Sequence, residues 1–287
     1  MSLEDTTEPE DEGESRYDLM AEGYARWWAP VIRPGAERVL DLAAPAIEAA
    51  LARTRTPHVL DVGSGTGTLA IAALERWPAL RVTGIDPSGG MLAVARDHAL
   101  QRLADLAGRY RTEVAPADSM PFDHGSYDLA LSSFVLQLVP SRAAALREIN
   151  RVLRPDGVFA WVAWQRTERA YEPDRIANEV LDRAGFDPPE ADARPGDVAS
   201  PASAAQSMRR AGFHDVTAST AEVAHPWDAQ GYLAFLTQFD EESLFAELEP
   251  DERQEIEGEI LDGLARLSQD ELTLRLPVIY AMGRASS

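Results

Sequence analysis

The feature that most constrains this chain is the stretch VLDVGSGTG at residues 59–67. An apolar run typical of a strand leads into Gly63, Ser64, Gly65 and Gly67, and a helical pattern follows at residues 69–76. Glycines are needed where the backbone turns sharply or where a ligand approaches closer than a Cβ would allow. The free N–H groups at the start of the next helix attract negative charge. The stretch predicts a ligand-binding turn, with an ordinary tight turn as the alternative.

Strand and helix patterns alternate regularly around this turn. Alternation of this kind, with connections long enough for crossovers, predicts an α/β fold with a parallel sheet and helices on both faces. The predicted strands are residues 58–62, 81–86, 110–117, 127–133, 157–164, 213–223 and 271–285, and the predicted helices are 17–28, 36–53, 69–76, 88–107, 143–153, 175–184 and 202–211.

The remaining segments define the predicted domain organisation. Residues 4–14 contain seven acids and no apolar side chain, which predicts a disordered acidic tail over residues 1–15. We expect a single domain over residues 16–287. Its predicted parts are N-terminal helices at 16–55, a ligand-binding core at 57–164, and insertions covering the substrate at about 165–200 and 225–270, the second of them acidic and helical.

Asp61 stands at the end of the first predicted strand, two residues before Gly63. A carboxylate there would repel the pyrophosphate of a dinucleotide but suits a ligand that carries a cationic amino acid group. The glycine spacing agrees, because dinucleotide sites favour GxGxxG and the third glycine here arrives one residue early. These residues favour a nucleoside ligand other than NAD.

Asp86 ends the second predicted strand, nineteen residues beyond Gly67. An acid at this position hydrogen-bonds the ribose hydroxyls of a bound nucleoside in folds of this type. The alternative is a helix cap, because Pro87 and Ser88 open the next helix, and both roles can coexist.

Five ordered motifs resemble the class I S-adenosylmethionine-dependent methyltransferases, especially the branch that includes ubiquinone and menaquinone biosynthesis C-methyltransferases. They are VLDVGSGTG, GIDPSGGML (84–92), the Ala117-Asp118 pair, Tyr127-Asp128 with its strand, and REINRVLRPDGVFAWVAW (147–164). The resemblance implies a Rossmann-like fold with a mostly parallel seven-stranded sheet whose last strand is antiparallel. It also implies S-adenosylmethionine as cofactor and S-adenosylhomocysteine as product.

The resemblance further implies a role for each matching residue. Asp61 and the backbone of Gly63, Ser64 and Gly65 would lie near the methionine portion of the cofactor. On the nucleoside side, Asp86 beside Pro87 would hold the ribose. Met91 would pack near adenine, and Asp118 with Ser119 would recognise the adenine. Ser133 and Phe134 would line the sulfonium side. Tyr24, with Tyr17 and Trp28, would close over the cofactor; the alternative is that these aromatic residues serve only for packing.

No catalytic residue can be assigned from the sequence. Gln137 stands where relatives often carry His or Trp, and His225 precedes Pro226-Trp227 in the variable region. Both are weak candidates, and a surface role for His225 is the stronger alternative. We expect no metal site.

Composition narrows the acceptor. A net charge of -21 disfavours nucleic acid, because phosphate backbones are bound by clustered Lys and Arg. The absence of cysteine excludes cysteine-nucleophile methyl transfer, and residues 132–135, SSFV, differ from the Asn/Asp-Pro-Pro-aromatic run of DNA amino-methyltransferases. We therefore expect transfer of a methyl group to O, N or C of a small molecule, for which aromatic residues of the two insertions could form an apolar pocket.

Two other functions stay open, a non-catalytic S-adenosylmethionine-binding regulatory protein and an NAD(P)-dependent oxidoreductase. The chain has no apolar run long enough to span a membrane and no secretory signal, so we expect a cytoplasmic protein. The sequence does not predict the oligomeric state.

Overall fold

A seven-stranded sheet forms the centre of the computed structural model, which describes residues 10–167, 170–186 and 196–286, with the side chains of residues 10–16 left undescribed. The strand order is β3-β2-β1-β4-β5-β7-β6. The strands are β1 (His58–Val62), β2 (Arg81–Asp86), β3 (Tyr110–Val114), β4 (Tyr127–Ser133), β5 (Leu153–Trp164), β6 (Phe213–Pro226) and β7 (Thr273–Ala285).

The strand directions confirm the predicted fold class. Parallel pairing joins β3 to β2, β2 to β1, β1 to β4 and β4 to β5. The last strand, β7, is antiparallel to both of its neighbours, with Val278 opposite Trp164 on β5 and opposite Ala221 on β6. Strands β1 and β4 are buried along most of their length because helices cover both faces of the sheet.

Eleven helices surround the sheet within the described residues. They are α1 (Glu10–Gly23), α2 (Ala29–Arg53), α3 (Thr68–Arg76), α4 (Gly89–Leu103), α5 (Arg142–Val152), α6 (Glu172–Arg183), α7 (Pro201–Arg210), α8 (Ala229–Phe235), α9 (Glu242–Glu247), α10 (Pro250–Leu264) and α11 (Gln269–Leu272). Two π-helical turns are also present. The first, Tyr24–Trp28, joins α1 to α2, and the second, Leu236–Asp240, follows α8.

Apolar side chains form three clusters. One fills the sheet face covered by α2, α3 and α4, and a second fills the opposite face under α5 and α7. The third lies away from the sheet, among α6, α8, α9 and α10, and includes Val31 of α2. The two segments predicted as insertions therefore pack on each other and on α2. Their role as a substrate cover remains a prediction.

The N-terminal region differs from the expected disordered tail. Residues 1–9 lie outside the described part, but residues 10–15 belong to α1. A helix that has already formed gains one backbone hydrogen bond for each residue added. The predicted helix at residues 17–28 can therefore extend backwards into an acidic segment that has no apolar residue of its own.

Two helix boundaries also differ from expectation. The helix predicted at residues 36–53 begins at Ala29 and contains Pro34 and Pro45. Burial of Val31, Ile32 and Ala36 against neighbouring elements outweighs the local cost of proline in a helix. The helix predicted at residues 88–107 ends at Leu103, where a 3-10 turn at Ala104–Arg109 begins.

Candidate functional site

The candidate site lies at the carboxyl ends of the parallel strands. Strand β1 pairs with β2 on one side and with β4 on the other, so the chain reverses its winding direction at β1. Open α/β sheets bind ligands in the crevice at such a switch point. The glycine-rich turn after β1 occupies this position.

The glycines of the turn serve different purposes. Gly63, Gly65 and Gly67 have φ values of 68°, 52° and 84°, a region that L-residues with side chains rarely adopt. A Cβ on Gly63 would overlap with Val135, whereas a Cβ on Gly65 would meet nothing within 4 Å. Gly63 is therefore required for packing, and Gly65 faces open space that a ligand can enter.

The Asp61 carboxyl lies directly beneath this turn and is only 1% exposed. The Ser64 hydroxyl donates a hydrogen bond to its Oδ2 at 2.8 Å, while its Oδ1 is buried without a hydrogen-bond partner. Burial raises the pKa of Asp61 to about 7, which Ser64 and the nearby Ala70 amide only partly oppose. A buried carboxylate with a free oxygen is a site for a cationic group.

Tyr110, which the sequence analysis did not identify, completes this arrangement. Its hydroxyl lies 2.7 Å from the Ser64 hydroxyl. A serine has one hydroxyl proton, and Ser64 donates that proton to Asp61, so Tyr110 donates to Ser64. Burial raises the pKa of Tyr110, which keeps the phenol protonated for this role. No local motif marks Tyr110, because it reaches Ser64 from β3, two strands away.

Asp86 ends β2 beside the same turn. Its Oδ2 accepts a hydrogen bond from the Gly65 amide at 2.9 Å, and its Oδ1 accepts one from the Ser88 amide at 3.0 Å. Burial raises the pKa of Asp86. The carboxylate therefore supports both the glycine turn and the start of α4, and each oxygen still has a lone pair for a ligand hydroxyl.

The other residues predicted on the nucleoside side follow β2 and β3. Pro87 is exposed, and Met91 is buried, with its amide donating to the Ser88 hydroxyl at 3.0 Å. The segment after β3 begins beside Asp86, because the Ala115 amide donates to the Asp86 carbonyl at 3.2 Å. In the turn beyond it, Asp118 is half-buried and Ser119 is exposed.

Phe134 and Ser133 lie at the end of β4. Ser133 is half-buried, and Phe134 adopts a φ of 59°, an unusual conformation for a residue with a bulky side chain. The Phe134 ring lies 4.0 Å from the Trp164 ring, centroid to centroid, and packs so closely on α2 that a Cβ on Gly35 would lie 2.7 Å from it. Strained backbone of this kind is concentrated at functional sites.

Tyr24, the residue predicted to cover the cofactor, is the first residue of the π-helical turn between α1 and α2. The residue is half-buried, and its pKa is raised by burial and, to a lesser extent, by Tyr17 and Asp86. Its ring packs edge-on against the Phe239 ring, with the two ring centroids 6.4 Å apart. Asp86 is close enough to raise the pKa of the Tyr24 hydroxyl, so the turn lies near the residue predicted to bind the ribose.

The two weak catalytic candidates occupy different places. The Gln137 side chain donates from Nε2 to the Phe134 carbonyl at 2.7 Å, and its Oε1 is buried without a partner. His225 lies near the end of β6, edge-on to Trp227 at 4.3 Å, and burial lowers its pKa. The structure therefore brings Gln137, but not His225, into contact with the predicted cofactor residues.

A series of aromatic contacts joins His225 to Phe134. Adjacent rings have centroids between 4.0 and 6.2 Å apart, a range typical of packed aromatic pairs. The series runs His225, Trp227, Phe235, Trp28, Trp164, Phe134. Rings from β5, β6, α8 and the turn at Tyr24–Trp28, together with Trp227 and Phe134, thus form an apolar wall beside the candidate site.

Two further findings concern the described residues only. They include no group of three or more His, Cys, Asp or Glu side chains that could hold a metal ion. No described helix is both long enough and apolar enough to cross a membrane.

Comparison with known proteins identifies similar proteins for part of this chain. Residues 59–157 match the family model described as a methyltransferase domain. Malonyl-[acyl-carrier protein] O-methyltransferase of Geobacter sulfurreducens is 36% identical over 104 residues, which cover 36% of this chain and 37% of that protein. Ubiquinone/menaquinone biosynthesis C-methyltransferase UbiE of Methylobacterium nodulans is 40% identical over 108 residues, which cover 37% of this chain and 42% of that protein.

Solved structures are similar over more of the chain. The YcgJ protein of Bacillus subtilis has a TM-score of 0.55 and 21% identity, covering 88% of this chain and 99% of that one. The [4+2]-cyclase SpnF has a TM-score of 0.52 and 20% identity, covering 89% and 82%. These two similarities concern the fold alone.

The matched region is a limited part of each protein. The chain spans about two fifths of the length of the curated relatives that it matches. Over residues 59–157 the predicted resemblance to methyltransferases is confirmed.

Proposed function

We propose that this chain transfers the methyl group of S-adenosylmethionine to oxygen, nitrogen or carbon of a small-molecule acceptor. The observation that carries the proposal is the buried Asp61 carboxylate, whose Oδ1 has no partner, next to the open space at Gly65. A buried carboxylate is costly unless a cation or hydrogen-bond donor pairs with it. The amino acid portion of S-adenosylmethionine carries an ammonium group that would do so.

The remaining residues fit the other parts of the cofactor. We propose that the backbone of Gly63, Ser64 and Gly65 lies against the methionine portion and that Asp86, next to Pro87, accepts the ribose hydroxyls. The adenine would pack on Met91 and be recognised by Asp118 and Ser119. On the sulfonium side we propose Ser133 and Phe134, with Tyr24 as the cover.

When bound, the cofactor supplies a methyl group on a positively charged sulfur. The chain's own contribution is to hold the acceptor in line with that methyl and to exclude water, which can lower the barrier by several kcal/mol. We propose that the aromatic wall formed by Trp28, Trp164 and Phe235 does this on the acceptor side. These rings are fixed by one another, so an acceptor would meet a rigid apolar surface.

We assign no general base. A lowered pKa leaves the His225 imidazole neutral near pH 7, in the form that accepts a proton, but several aromatic rings separate it from Phe134. The free Oε1 of Gln137 can accept a hydrogen bond from an acceptor hydroxyl or amine, so we propose Gln137 as an orienting group.

The alternatives predict different behaviour. An oxidoreductase would bind NAD or NADP, which the Asp61 carboxylate disfavours. A regulatory protein would bind S-adenosylmethionine without turnover. The net charge of -21 supports a small acceptor rather than nucleic acid, and a cytoplasmic location remains a prediction.

The test is a thermal shift of the purified chain with S-adenosylmethionine, S-adenosylhomocysteine, NAD and NADP, beside the variant Asp86→Ala. Ligand at 100 times its dissociation constant stabilises the native state by about 2.7 kcal/mol, roughly 5 °C or more in Tm. We expect this shift with the two sulfur ligands alone and its loss in the variant. A screen of small acceptors by mass spectrometry then tests turnover. A shift only with NAD or NADP, or none with the sulfur ligands, would overturn the proposal.

A further inference from the structure

The second half of α1 is tied to the start of α4 by a single side chain, Asp18. Oδ1 of Asp18 accepts hydrogen bonds from the Ser88 hydroxyl at 2.5 Å and from the Gly90 amide at 2.7 Å. These two bonds lower the pKa of Asp18, which keeps the carboxylate ionised at neutral pH. Asp18 is itself exposed, so the contact is not forced by burial.

Ser88 connects Asp18 to Asp86, the residue predicted to bind the ribose. Ser88 donates from its backbone amide to Asp86 and from its hydroxyl to Asp18, while the same hydroxyl caps α4 by accepting from the Met91 amide. Ser88 is only 1% exposed. A displacement of Asp18 would therefore remove a bond from the residue that positions both Asp86 and Met91.

The backbones of the two helices approach closely at this point. A Cβ on Gly90 would lie 2.9 Å from the Cα of Asp18 and 3.0 Å from its carbonyl oxygen. Distances this short require a shift of α1, because backbone atoms cannot rotate away as a flexible side chain can. Gly90 thus permits α1 to pack against α4, independently of the hydrogen bonds.

The same helix carries Tyr24 into the candidate site. Tyr24 follows Asp18 by six residues, within the π-helical turn that continues α1. The Tyr24 ring contacts the Phe239 ring, and a Cβ on Gly23 would lie 3.0 Å from the same ring. The segment of residues 17–28 is therefore held at two points, by Asp18 on α4 near its start and by Gly23 and Tyr24 on Phe239 near its middle.

We propose that Asp18 is a positioning residue that holds residues 17–28 closed over the nucleoside half of the cofactor site. This proposal rests on the proposed function, because the site that it closes is the S-adenosylmethionine site. Asp18 acts through Ser88 and Gly90, so its role is to slow the escape of the cofactor.

The first test measures S-adenosylhomocysteine binding by calorimetry and its dissociation rate by stopped-flow tryptophan fluorescence. For Asp18→Ala we expect about tenfold weaker binding, mainly from faster dissociation, as the loss of a charge-assisted hydrogen bond would produce. Asp18→Asn keeps an acceptor oxygen without the charge and should be intermediate. Gly90→Ala should resemble Asp18→Ala, although it leaves the carboxylate in place.

The matched control is Glu22→Gln. Glu22 lies one helical turn beyond Asp18, is exposed, and makes no hydrogen bond to a described residue, so its removal changes the net charge by the same amount. We expect its binding and dissociation to match those of the unmodified chain. Equal weakening by Glu22→Gln would mean that charge alone is responsible and would overturn the proposal.

Hydrogen exchange separates a positioning role from a purely structural one. In the unmodified chain we expect S-adenosylhomocysteine to protect amides of residues 17–28, and we expect Asp18→Ala to lose this protection while amides of β1 and β4 exchange as before. Unchanged affinity and protection in Asp18→Ala, or faster exchange throughout the sheet, would overturn the proposal. If the unmodified chain binds no S-adenosylhomocysteine, the proposed function fails as well.

Discussion

The Ser64 hydroxyl donates to one oxygen of the Asp61 carboxyl at 2.8 Å, while the other oxygen of that buried group has no partner. This relationship predicts a pH-dependent affinity. The pKa of Asp61 is about 7, far above the ordinary value near 3.9, so the carboxyl is largely protonated below pH 7. A cationic group binds only the ionised form.

We therefore expect the affinity for S-adenosylhomocysteine to rise by up to about tenfold per pH unit from pH 5 to 7 and to level off above pH 7. Calorimetry across this range measures the effect. Asp61→Asn should bind weakly with little dependence on pH, and an equal slope in that variant would assign the titration to another group.

The same pKa predicts the stability of the chain without ligand. Asp61 binds its proton more tightly when folded than when unfolded, so the folded state takes up more protons between about pH 4 and 7. The stabilisation associated with Asp61 is complete below pH 4 and is lost as the pH rises through 7. Urea unfolding should show a smaller decline over this range for Asp61→Asn than for the unmodified chain. Parallel curves for the two proteins would contradict the assignment.

Gly63 and Gly65 should respond differently to alanine. At Gly63 the new Cβ combines a positive φ with an overlap on Val135, and we expect a loss of about 3 kcal/mol in the free energy of unfolding. At Gly65 the Cβ meets no protein atom, so the loss should be only about 1 kcal/mol. Binding of S-adenosylhomocysteine by Gly65→Ala should nevertheless fall at least tenfold, measured at a temperature where both variants are folded. Full binding by Gly65→Ala would mean that no ligand occupies the space above this glycine.

Asp128 offers a contrast from the amino end of β4, at the opposite end of the strands from the candidate site. Its Oδ2 accepts from the His58 amide at 2.8 Å, and its Oδ1 accepts from Arg154. Asp128→Ala leaves a backbone donor without its partner, so we expect a loss of about 2 kcal/mol in urea unfolding. The dissociation constant for S-adenosylhomocysteine should stay within about twofold. A large change in binding would show that Asp128 also influences the cofactor site.

A substitution at Gly35 tests the role of the Phe134 ring beside the candidate site. A Cβ there would lie 2.7 Å from Cζ and 2.8 Å from Cε2 of Phe134, so Gly35→Ala must displace that ring. We expect methyl transfer to an acceptor found by the screen to fall at least tenfold, with a smaller change in S-adenosylhomocysteine affinity. Gly258→Ala in α10, where a Cβ would meet nothing within 4 Å, is the control. It should stabilise the helix by about 0.5–1 kcal/mol and leave transfer unchanged. Equal transfer by the two variants would argue against a role for the Phe134 ring.

Much of the core could be predicted because its signals are local. The bounds predicted for β1, β2 and β4 are those of the structure, since each strand is a short apolar run that ends at Gly, Asp or Ser. Helix ends were less predictable. The start of α2 at Ala29 depends on burial against the sheet and the cover helices, which outweighs the prolines within the helix.

The sequence by itself determined the α/β class, the glycine turn, and the positions of Asp61 and Asp86 at the ends of neighbouring strands. Periodicity, glycine spacing and strand ends are local properties of a chain, so they can be recognised before it folds. Only the tertiary structure brought Tyr110 to Ser64 and Asp18 to Gly90, across 46 and 72 residues. Such contacts depend on how strands and helices pack in three dimensions, and no spacing along the chain records them. The raised pKa of Asp61 is likewise a consequence of burial, which exists only in the folded molecule.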